Sequence, residues 1–258
     1  MNMDAQLIAF STIIRKEVRR FMRIWVQTLI PPVITMVLYF VIFGNLIGSR
    51  IGEMGGVDYM AFVVPGLIMM AVINNSYSNV VSSFYSAKFT KSIEELQVSP
   101  IPNYIILLGY VIGGSIRGLL VGFIVTLLSL FFTKLAIHSI GVTVSVILLT
   151  SLLFSLAGMI NAIFANSFDD ISIIPTFVLT PLTYLGGVFY SISLLPDFWQ
   201  AVSKLNPVLY MVSAFRYGIL GGMPDVNLAV SFVCISAFVL ALFCYCLFLL
   251  EKGKKLRN

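Results

Sequence analysis

Polar residues within long apolar stretches are the part of this sequence that could do chemistry. Asn75, Asn79, Ser82 and Ser86 form one polar stripe along an apolar stretch, and Arg117 lies about midway along the next one. A charge at that depth is energetically expensive, so it is usually directed to a protein interior or a water-filled cavity. These residues could line a path for a polar or anionic headgroup. They could also make hydrogen bonds between helices, with Arg117 paired to backbone carbonyls or extended toward the nearer surface.

The sequence contains no set of residues that is typical of an enzyme. It has no G-x-x-x-x-G-K-[ST] phosphate-binding loop, because residues 44–48 lack the lysine that such a loop needs. His138 is the only histidine and has no candidate ligand nearby. Cys234, Cys244 and Cys246 lie in one apolar run, which suits small buried side chains better than a disulfide or a metal site. We expect no catalytic residue, no metal ion and no cofactor in this chain.

The composition places these residues in a membrane protein. The chain has 258 residues, of which 59% are hydrophobic and 10% are charged, and its mean hydropathy is +1.00. A soluble domain carries about a quarter charged residues because its surface faces water. Six apolar runs are long enough to cross ~30 Å of hydrocarbon at about 1.5 Å per residue. The runs are residues 24–47, 59–86, 104–132, 140–164, 171–191 and 228–250. We predict one all-α membrane domain over residues 1–258 with six transmembrane helices.

The lysines and arginines predict the orientation of the chain. Eleven of them lie in the N-terminal segment, between runs two and three, or in residues 252–257, whereas four lie on the other side. Positively charged connections tend to stay in the cytoplasm. We expect a bacterial inner-membrane protein that crosses the membrane several times, with both termini in the cytoplasm.

Residues 4–23, ahead of the first run, have the pattern of an amphipathic helix. Apolar residues recur at helical spacing on one face and basic residues on the opposite face. The apolar face is Leu7, Phe10, Ile14, Val18, Phe21 and Trp25, and the basic face is Arg15, Lys16, Arg19 and Arg23. We expect this helix to lie in the headgroup plane, with its basic side attracted by anionic lipid. It could also brace a cytoplasmic partner.

A second amphipathic segment, residues 88–99, connects runs two and three and is ended by Pro100. Phe89, Ile93 and Leu96 share one face of the predicted helix. A dozen residues cannot cross a bilayer, so this helix should lie at the cytoplasmic surface. It is either a rigid connector or a docking helix that a soluble subunit can push.

The connection over residues 192–227 is far longer than two neighbouring helices need. It predicts two short helices that dip in from the outer face, the first starting near Pro196 and the second near Pro207. Aromatic residues just before it, among them Tyr184, Phe189 and Tyr190, could form an interfacial belt or an adjustable outer gate. In run three, glycines at four-residue steps favour close helix packing. These glycines are Gly109, Gly113, Gly114, Gly118 and Gly122.

Three stretches in order along the chain carry a family resemblance. They are residues 94–100 (EELQVSP), residues 181–189 (PLTYLGGVF), and a C-terminal signature that consists of Pro207, Tyr210 and Arg216. With these motifs the chain resembles the ABC-2 type exporter permeases over essentially its whole length. Within that family it is most similar to the bacterial YadH-like permeases.

The resemblance implies a partner and a division of labour. Two permease chains, expected to be a homodimer, would pair above two ATP-binding subunits that hold the ATP and Mg²⁺. Residues 88–99 would be the coupling helix, and an amphiphilic, lipid-like or glycan substrate would move outward. The expected coupling residues are Lys88, Phe89, Ile93, Glu94, Glu95 and Leu96. The expected substrate path includes Asn75, Asn79, Arg117, Tyr184, Phe189 and Tyr190.

Two other functions remain open. A secondary carrier or channel is disfavoured because no Asp or Glu lies inside the six runs, and ion-coupled carriers usually need buried carboxylates. A non-transporting scaffold subunit would stimulate no ATPase and would not depend on Arg117 or on the stripe at Asn75. Membrane lipids are expected contacts, and nucleic acid is not expected to be a partner.

Overall fold

The computed structural model describes residues 3–222 and 224–253. The basic residues Lys254, Lys255 and Arg257, which contribute to the predicted orientation, lie outside this described part. Helices make up almost all of the described chain. In order they are α1 (Met3–Arg23), α2 (Trp25–Tyr39), α3 (Ser49–Ile51), α4 (Tyr59–Phe89), α5 (Ser92–Val98), α6 (Asn103–Ser129), α7 (Ile140–Phe164), α8 (Asp170–Ile174), α9 (Thr180–Leu185), α10 (Asp197–Lys204), α11 (Pro207–Leu220) and α12 (Leu228–Lys252).

Short irregular elements complete the fold. The π-helical segments Phe40–Gly48 and Pro175–Leu179 join α2 to α3 and α8 to α9. A two-stranded antiparallel hairpin, β1 (Glu53–Met54) and β2 (Val57–Asp58), precedes α4, and the architecture is all-α as predicted. This hairpin marks one end of the helix bundle, the hairpin end. The helix α5 follows the other end of α4 and marks the α5 end.

Five helical stretches within the described residues are long and apolar enough to cross a membrane. They are Trp25–Ile51, Tyr59–Phe89, Asn103–Ser129, Ile140–Phe164 and Leu228–Lys252. These stretches confirm predicted runs one to four and six to within a few residues. Run five forms a shorter apolar helix, Asp170–Leu185, in which Pro175 and Pro181 remove backbone donors before Gly186 and Gly187 end it. Because this helix is short, the sixth crossing stays a prediction.

The helix α4 lies at the centre of the bundle and packs against α6, α7 and α11. Apolar residues occur on nearly all of its faces, as in a helix that is surrounded by protein. One narrow line of residues stays accessible, and its polar members are Asn74, Ser78, Ser82 and Ser86. We call these four residues the open stripe.

The helix α1 packs on protein with a different face from the predicted one. Its buried residues are Ile13, Glu17 and Phe21, whereas Leu7 and Trp25 are exposed. Two glycines of α6 explain the difference, because Gly109 and Gly113 leave room for the side chains of Ile13 and Glu17. A Cβ atom on Gly113 would lie 2.5 Å from the Cβ of Glu17. The helix α1 is therefore packed along the first turns of α6, and its position in the headgroup plane stays a prediction.

The junction of α4 and α5 also differs from the predicted continuous helix over residues 88–99. The backbone of Lys91 adopts a left-handed conformation (φ 59°), which turns the chain between Phe89 and Ser92. The Ser92 hydroxyl donates to the Ala87 carbonyl at 3.2 Å and supports this turn. Phe89 thus belongs to α4, and only seven residues form α5.

The two short helices predicted within residues 192–227 are present as α10 and α11. Pro207 occupies the first turn of α11, where its missing amide hydrogen costs no hydrogen bond. The Asn206 side chain caps this helix by accepting from the Val208 amide at 2.9 Å. Its amide nitrogen also donates to the Leu182 carbonyl at 2.6 Å, which ties α11 to α9.

Candidate functional site

A groove of about 330 Å³ lies halfway along the bundle between α2, α4 and α6. Its lining is polar in one part and apolar in the other. The polar residues are Gln27, Thr35, Asn74, Asn75, Ser78 and Arg117, and the apolar residues are Pro31, Pro32, Met36, Met70 and Ala71. Two members of the open stripe, Asn74 and Ser78, therefore face this groove.

Arg117 is the one charged residue among the described groove-lining residues. Its Nη2 donates to the Thr28 carbonyl at 3.4 Å and to Asn75 Oδ1 at 3.3 Å. Both distances are long for a charge-assisted hydrogen bond. Its buried Nε has no hydrogen-bond partner within the described chain. Arg117 thus contacts a backbone carbonyl and lies beside a partly polar groove.

On α4 the structure replaces two of the four predicted stripe residues, because Asn74 and Ser78 are accessible in place of Asn75 and Asn79, while Ser82 and Ser86 are accessible as predicted. Asn79 is fully buried, and its carbonyl and Oδ1 accept from Arg20 Nη2 at 3.0 and 2.8 Å. Asn75 is nearly buried and donates to the Ala71 carbonyl at 2.9 Å. Asn74 takes the accessible position. Consecutive asparagines at 74 and 75 left this choice open in the sequence.

Glu17 is a functional candidate that the sequence analysis missed. It is 0% exposed, and its carboxylate accepts from the Ser83 hydroxyl at 2.8 Å and pairs with Arg20 Nε at 3.4 Å. Lys16 lies 3.8 Å from the same carboxylate and donates to the Tyr110 hydroxyl at 3.1 Å. This cluster, the Glu17 clamp, joins α1 to both α4 and α6. Its signal in the sequence was a single acid within a basic segment, one helical turn from Ile13 and from Phe21.

Phe189 lies at the centre of an aromatic cluster near the hairpin end. Its ring centroid is 4.6 Å from that of Phe43, 5.7 Å from Tyr184 and 5.9 Å from Tyr39. The structure thus brings together the predicted Tyr184 and Phe189. Tyr190 makes none of the ring contacts among the described residues. The other two rings come from run one, where their four-residue spacing placed them on one helix face.

The predicted coupling residues divide into two groups at the α5 end. Lys88 is buried, and its ammonium group donates to the Ile163 and Ala165 carbonyls at 2.8 Å each, which caps the C-terminus of α7. Ile93 is fully buried, and Leu96 packs against the core, so these two residues anchor α5. The exposed or accessible members are Phe89, Glu94 and Glu95.

The connection between α7 and α8 lies beside these accessible residues. The Phe168 ring is 5.2 Å from that of Phe89, and both rings are largely exposed. Asp170 accepts from the amides of Asn166 at 2.8 Å and of Ser167 at 3.2 Å, and these hydrogen bonds lower the pKa of its carboxyl group from 3.8. The connection is therefore shaped by local hydrogen bonds, and a cavity of about 260 Å³ separates it from Lys91 and Glu94.

Arg216, the last member of the C-terminal signature, is hydrogen-bonded through all three of its nitrogens. Nε donates to the Phe62 carbonyl at 3.2 Å, Nη2 to the Gly187 carbonyl at 2.6 Å, and Nη1 to Asp225 at 3.2 Å. Its guanidinium group also lies 3.8 Å from the centroid of the Phe62 ring. This arginine ties α11 to α4 and to two connections at the hairpin end. Tyr210 adds a smaller tie, because its hydroxyl donates to the Lys204 carbonyl at the end of α10 at 2.7 Å.

Long apolar helices that enclose buried polar clusters are typical of an integral membrane protein. The chain belongs to the ABC-2 type transporter family, whose model matches residues 8–220. It is therefore a transmembrane transport permease of the inner membrane, and the family implies an ATP-binding partner.

Individual relatives support the same assignment. The chain is 59% identical over 251 residues to the inner membrane transport permease YadH of Escherichia coli strain K12, which covers 97% of this chain and 98% of that protein. It is 27% identical over 195 residues to nodulation protein J of Sinorhizobium fredii, with 74% of each chain covered. The nodulation protein J of Rhizobium meliloti is 24% identical over 198 residues, with 76% of each chain covered.

Proposed function

We propose that this permease is the transmembrane half of an ATP-driven exporter. Two copies of the chain pair with two ATP-binding subunits that carry the ATP and Mg²⁺. An amphiphilic, lipid-like or glycan substrate moves outward across the inner membrane. Both termini and the α5 end then lie in the cytoplasm, in keeping with the excess of lysine and arginine there.

The observation that carries this proposal is the continuity of α4. This single helix of 31 residues leads into α5 at one end and lines the groove with Asn74 and Ser78 at its middle. Pro65 lies beyond the groove, and residues 74–89 contain neither proline nor glycine and are tightly packed, so we expect this part of α4 to move as a rigid element. A displacement of α5 is therefore transmitted along α4 directly to the wall of the groove.

Two surfaces divide the work at the cytoplasmic end. Lys88, Ile93 and Leu96 hold α5 on α4 and α7, and the ATP-binding subunit contacts Phe89, Glu94 and Glu95 from below. The Glu17 clamp holds α1 against α4, so that a movement of α4 also moves α1. The aromatic cluster around Phe189 forms part of the outer exit.

The buried carboxylate of Glu17 is the one feature that favours the rival carrier function. A proton-coupled carrier needs such a group beside a water-filled path. Glu17 instead has Ser83, Arg20 and Lys16 as partners and lines none of the described cavities. These contacts support a bracing role over proton transfer.

The first test is co-purification. Tagged permease is extracted in several mild detergents, with nucleotide present, and its partners are identified by mass spectrometry. A soluble ATPase with a phosphate-binding loop, recovered in near-equal amounts, is the expected result. Recovery of the chain alone under all these conditions would favour a carrier or a scaffold.

The second test separates ATP hydrolysis from transport in that complex. Phe89→Ala combined with Glu95→Ala should uncouple the two activities, because both side chains are exposed on the surface that we propose contacts the ATP-binding subunit. Stability should fall by no more than about 1.5 kcal/mol, since Phe89 loses its ring contacts with Tyr85 and Phe168. Glu251→Ala is the matched control, since Glu251 is an exposed acid near the end of α12, a helix that packs mainly on α6, α7 and α11. Normal coupling in the double variant would make the docking assignment wrong.

A further inference from the structure

We infer that the groove between α2, α4 and α6 binds the anionic group of an amphiphile through Arg117. This inference rests on the proposed function and gives its substrate a chemical class: one negatively charged group on an apolar chain.

The guanidinium group of Arg117 has unused hydrogen-bonding capacity. A guanidinium carries five N–H donors. Both described bonds of Arg117 come from Nη2, at 3.3 and 3.4 Å, and both acceptors are neutral. The buried Nε lacks a partner within the described chain. A buried donor without a partner is costly, so a ligand that supplies acceptors here is favoured.

The electrostatic environment of Arg117 favours the binding of an anion. None of the ion pairs in the described chain includes this residue. Arg20 is a like charge that acts on Arg117, but it is itself paired with the Glu17 carboxylate at 3.4 Å. The charge of Arg117 has no such partner in the described chain, and in a surrounding of low dielectric constant it attracts a negative group strongly. A guanidinium fork also matches the geometry of phosphate and carboxylate oxygens.

The two parts of the groove match the two parts of an amphiphile. Asn74, Ser78 and Thr35 offer amide and hydroxyl groups beside Arg117, where a headgroup would lie. Met36 and Met70 offer an apolar and adaptable surface for the first carbons of a chain. The volume of about 330 Å³ suits a small headgroup and part of a chain, and the rest of the chain extends beyond the groove.

Direct binding to the permease alone tests this inference. The purified chain is placed in nanodiscs of phosphatidylcholine, and the affinity for radiolabelled dodecyl phosphate is measured. Competition with dodecyl maltoside tests the need for charge, and competition with inorganic phosphate tests the need for the apolar chain. We expect both competitors to be at least about tenfold weaker than dodecyl phosphate, since dodecyl maltoside lacks the charged hydrogen bonds and inorganic phosphate lacks the apolar chain that the groove would bury.

Two variants locate the site. Arg117→Gln removes the charge and should weaken dodecyl phosphate binding roughly tenfold to a hundredfold. Asn75→Asp keeps Arg117 but places a carboxylate where Asn75 Oδ1 now lies, 3.3 Å from Nη2. This internal anion should weaken dodecyl phosphate binding to a similar extent. Asn75→Asp therefore tests the inference if Arg117→Gln does not fold. Arg15→Gln is the matched control, because Arg15 is exposed on α1 and lies outside the groove.

The outcomes separate this inference from the proposed function. Unchanged affinity in Asn75→Asp or in folded Arg117→Gln would overturn it, and so would equal competition by dodecyl maltoside or by inorganic phosphate. An affinity lowered by Arg15→Gln to the same extent would mean surface attraction only and would also overturn it. None of these measurements needs an ATPase, so a permease that binds dodecyl phosphate but recruits no ATPase would refute the exporter proposal alone.

Discussion

Arg216 and Arg117 are both held among packed helices, yet their surroundings differ in kind. Arg216 has three hydrogen-bonded nitrogens, an ion pair with Asp225 and a ring face at 3.8 Å. Arg117 has two long bonds from one nitrogen and no described counter-ion. The protein provides acceptors and a counter-ion for the guanidinium group of Arg216. It provides only two long hydrogen bonds for that of Arg117.

This difference distinguishes an arginine that stabilises the fold from an arginine that we propose binds a ligand. A saturated arginine stabilises the fold, because removal of either partner leaves a buried charge or buried carbonyls unpaired. An arginine with unsatisfied donors contributes little to the stability of the fold, and its free donors can form hydrogen bonds with a ligand. The Glu17 clamp belongs with Arg216 by this criterion, since its carboxylate has three described partners.

The largest expected effect is at Arg216. Arg216→Ala leaves Asp225 and the carbonyls of Phe62 and Gly187 without their donor and should destabilise the protein by about 3–5 kcal/mol. Thermal unfolding of the detergent-solubilised chain measures the loss. Arg50→Ala is the control, because Arg50 is exposed near the hairpin end and should change stability by less than about 0.5 kcal/mol. Equal unfolding temperatures for the two variants would show that Arg216 stabilises the fold no more than an exposed arginine does.

A smaller loss is expected at Glu17. Glu17→Ala leaves the Ser83 hydroxyl and the Arg20 side chain without their shared acceptor, which should cost about 1–3 kcal/mol. Glu17→Gln keeps an acceptor for Ser83 and should lose less. The same unfolding measurement, with the exposed Glu251→Ala as reference, ranks the three variants. A Glu17→Ala chain as stable as the reference would show that α1 is held without the clamp.

The smallest effect on stability is expected at Arg117. Arg117→Leu removes a charge that has no described counter-ion, so the free energy of unfolding should stay within about 1 kcal/mol of the wild-type value or rise. Substrate-stimulated ATP hydrolysis by the assembled transporter should nevertheless fall. A loss of stability as large as that of Arg216→Ala would place Arg117 among the structural charges and break the comparison.

Much of this architecture was readable from the sequence. The apolar runs located five spanning helices because about twenty apolar residues are needed to cross a bilayer and each run is bounded by polar or helix-breaking residues. Pro196 and Pro207 marked the starts of α10 and α11, since proline is tolerated in the first turn of a helix. The motif residues also placed the chain in its family.

The faces of the helices were decided only by the tertiary structure. On α4 apolar residues surround the whole axis, so periodicity could not tell which of Asn74 and Asn75 is the more accessible. On α1 the close approach allowed by Gly109 and Gly113 turned Glu17 inward, against the rule that acids face water. Sequence periodicity determines that a helix forms and how long it is, but the burial of any one side chain depends on neighbours that are distant in the chain.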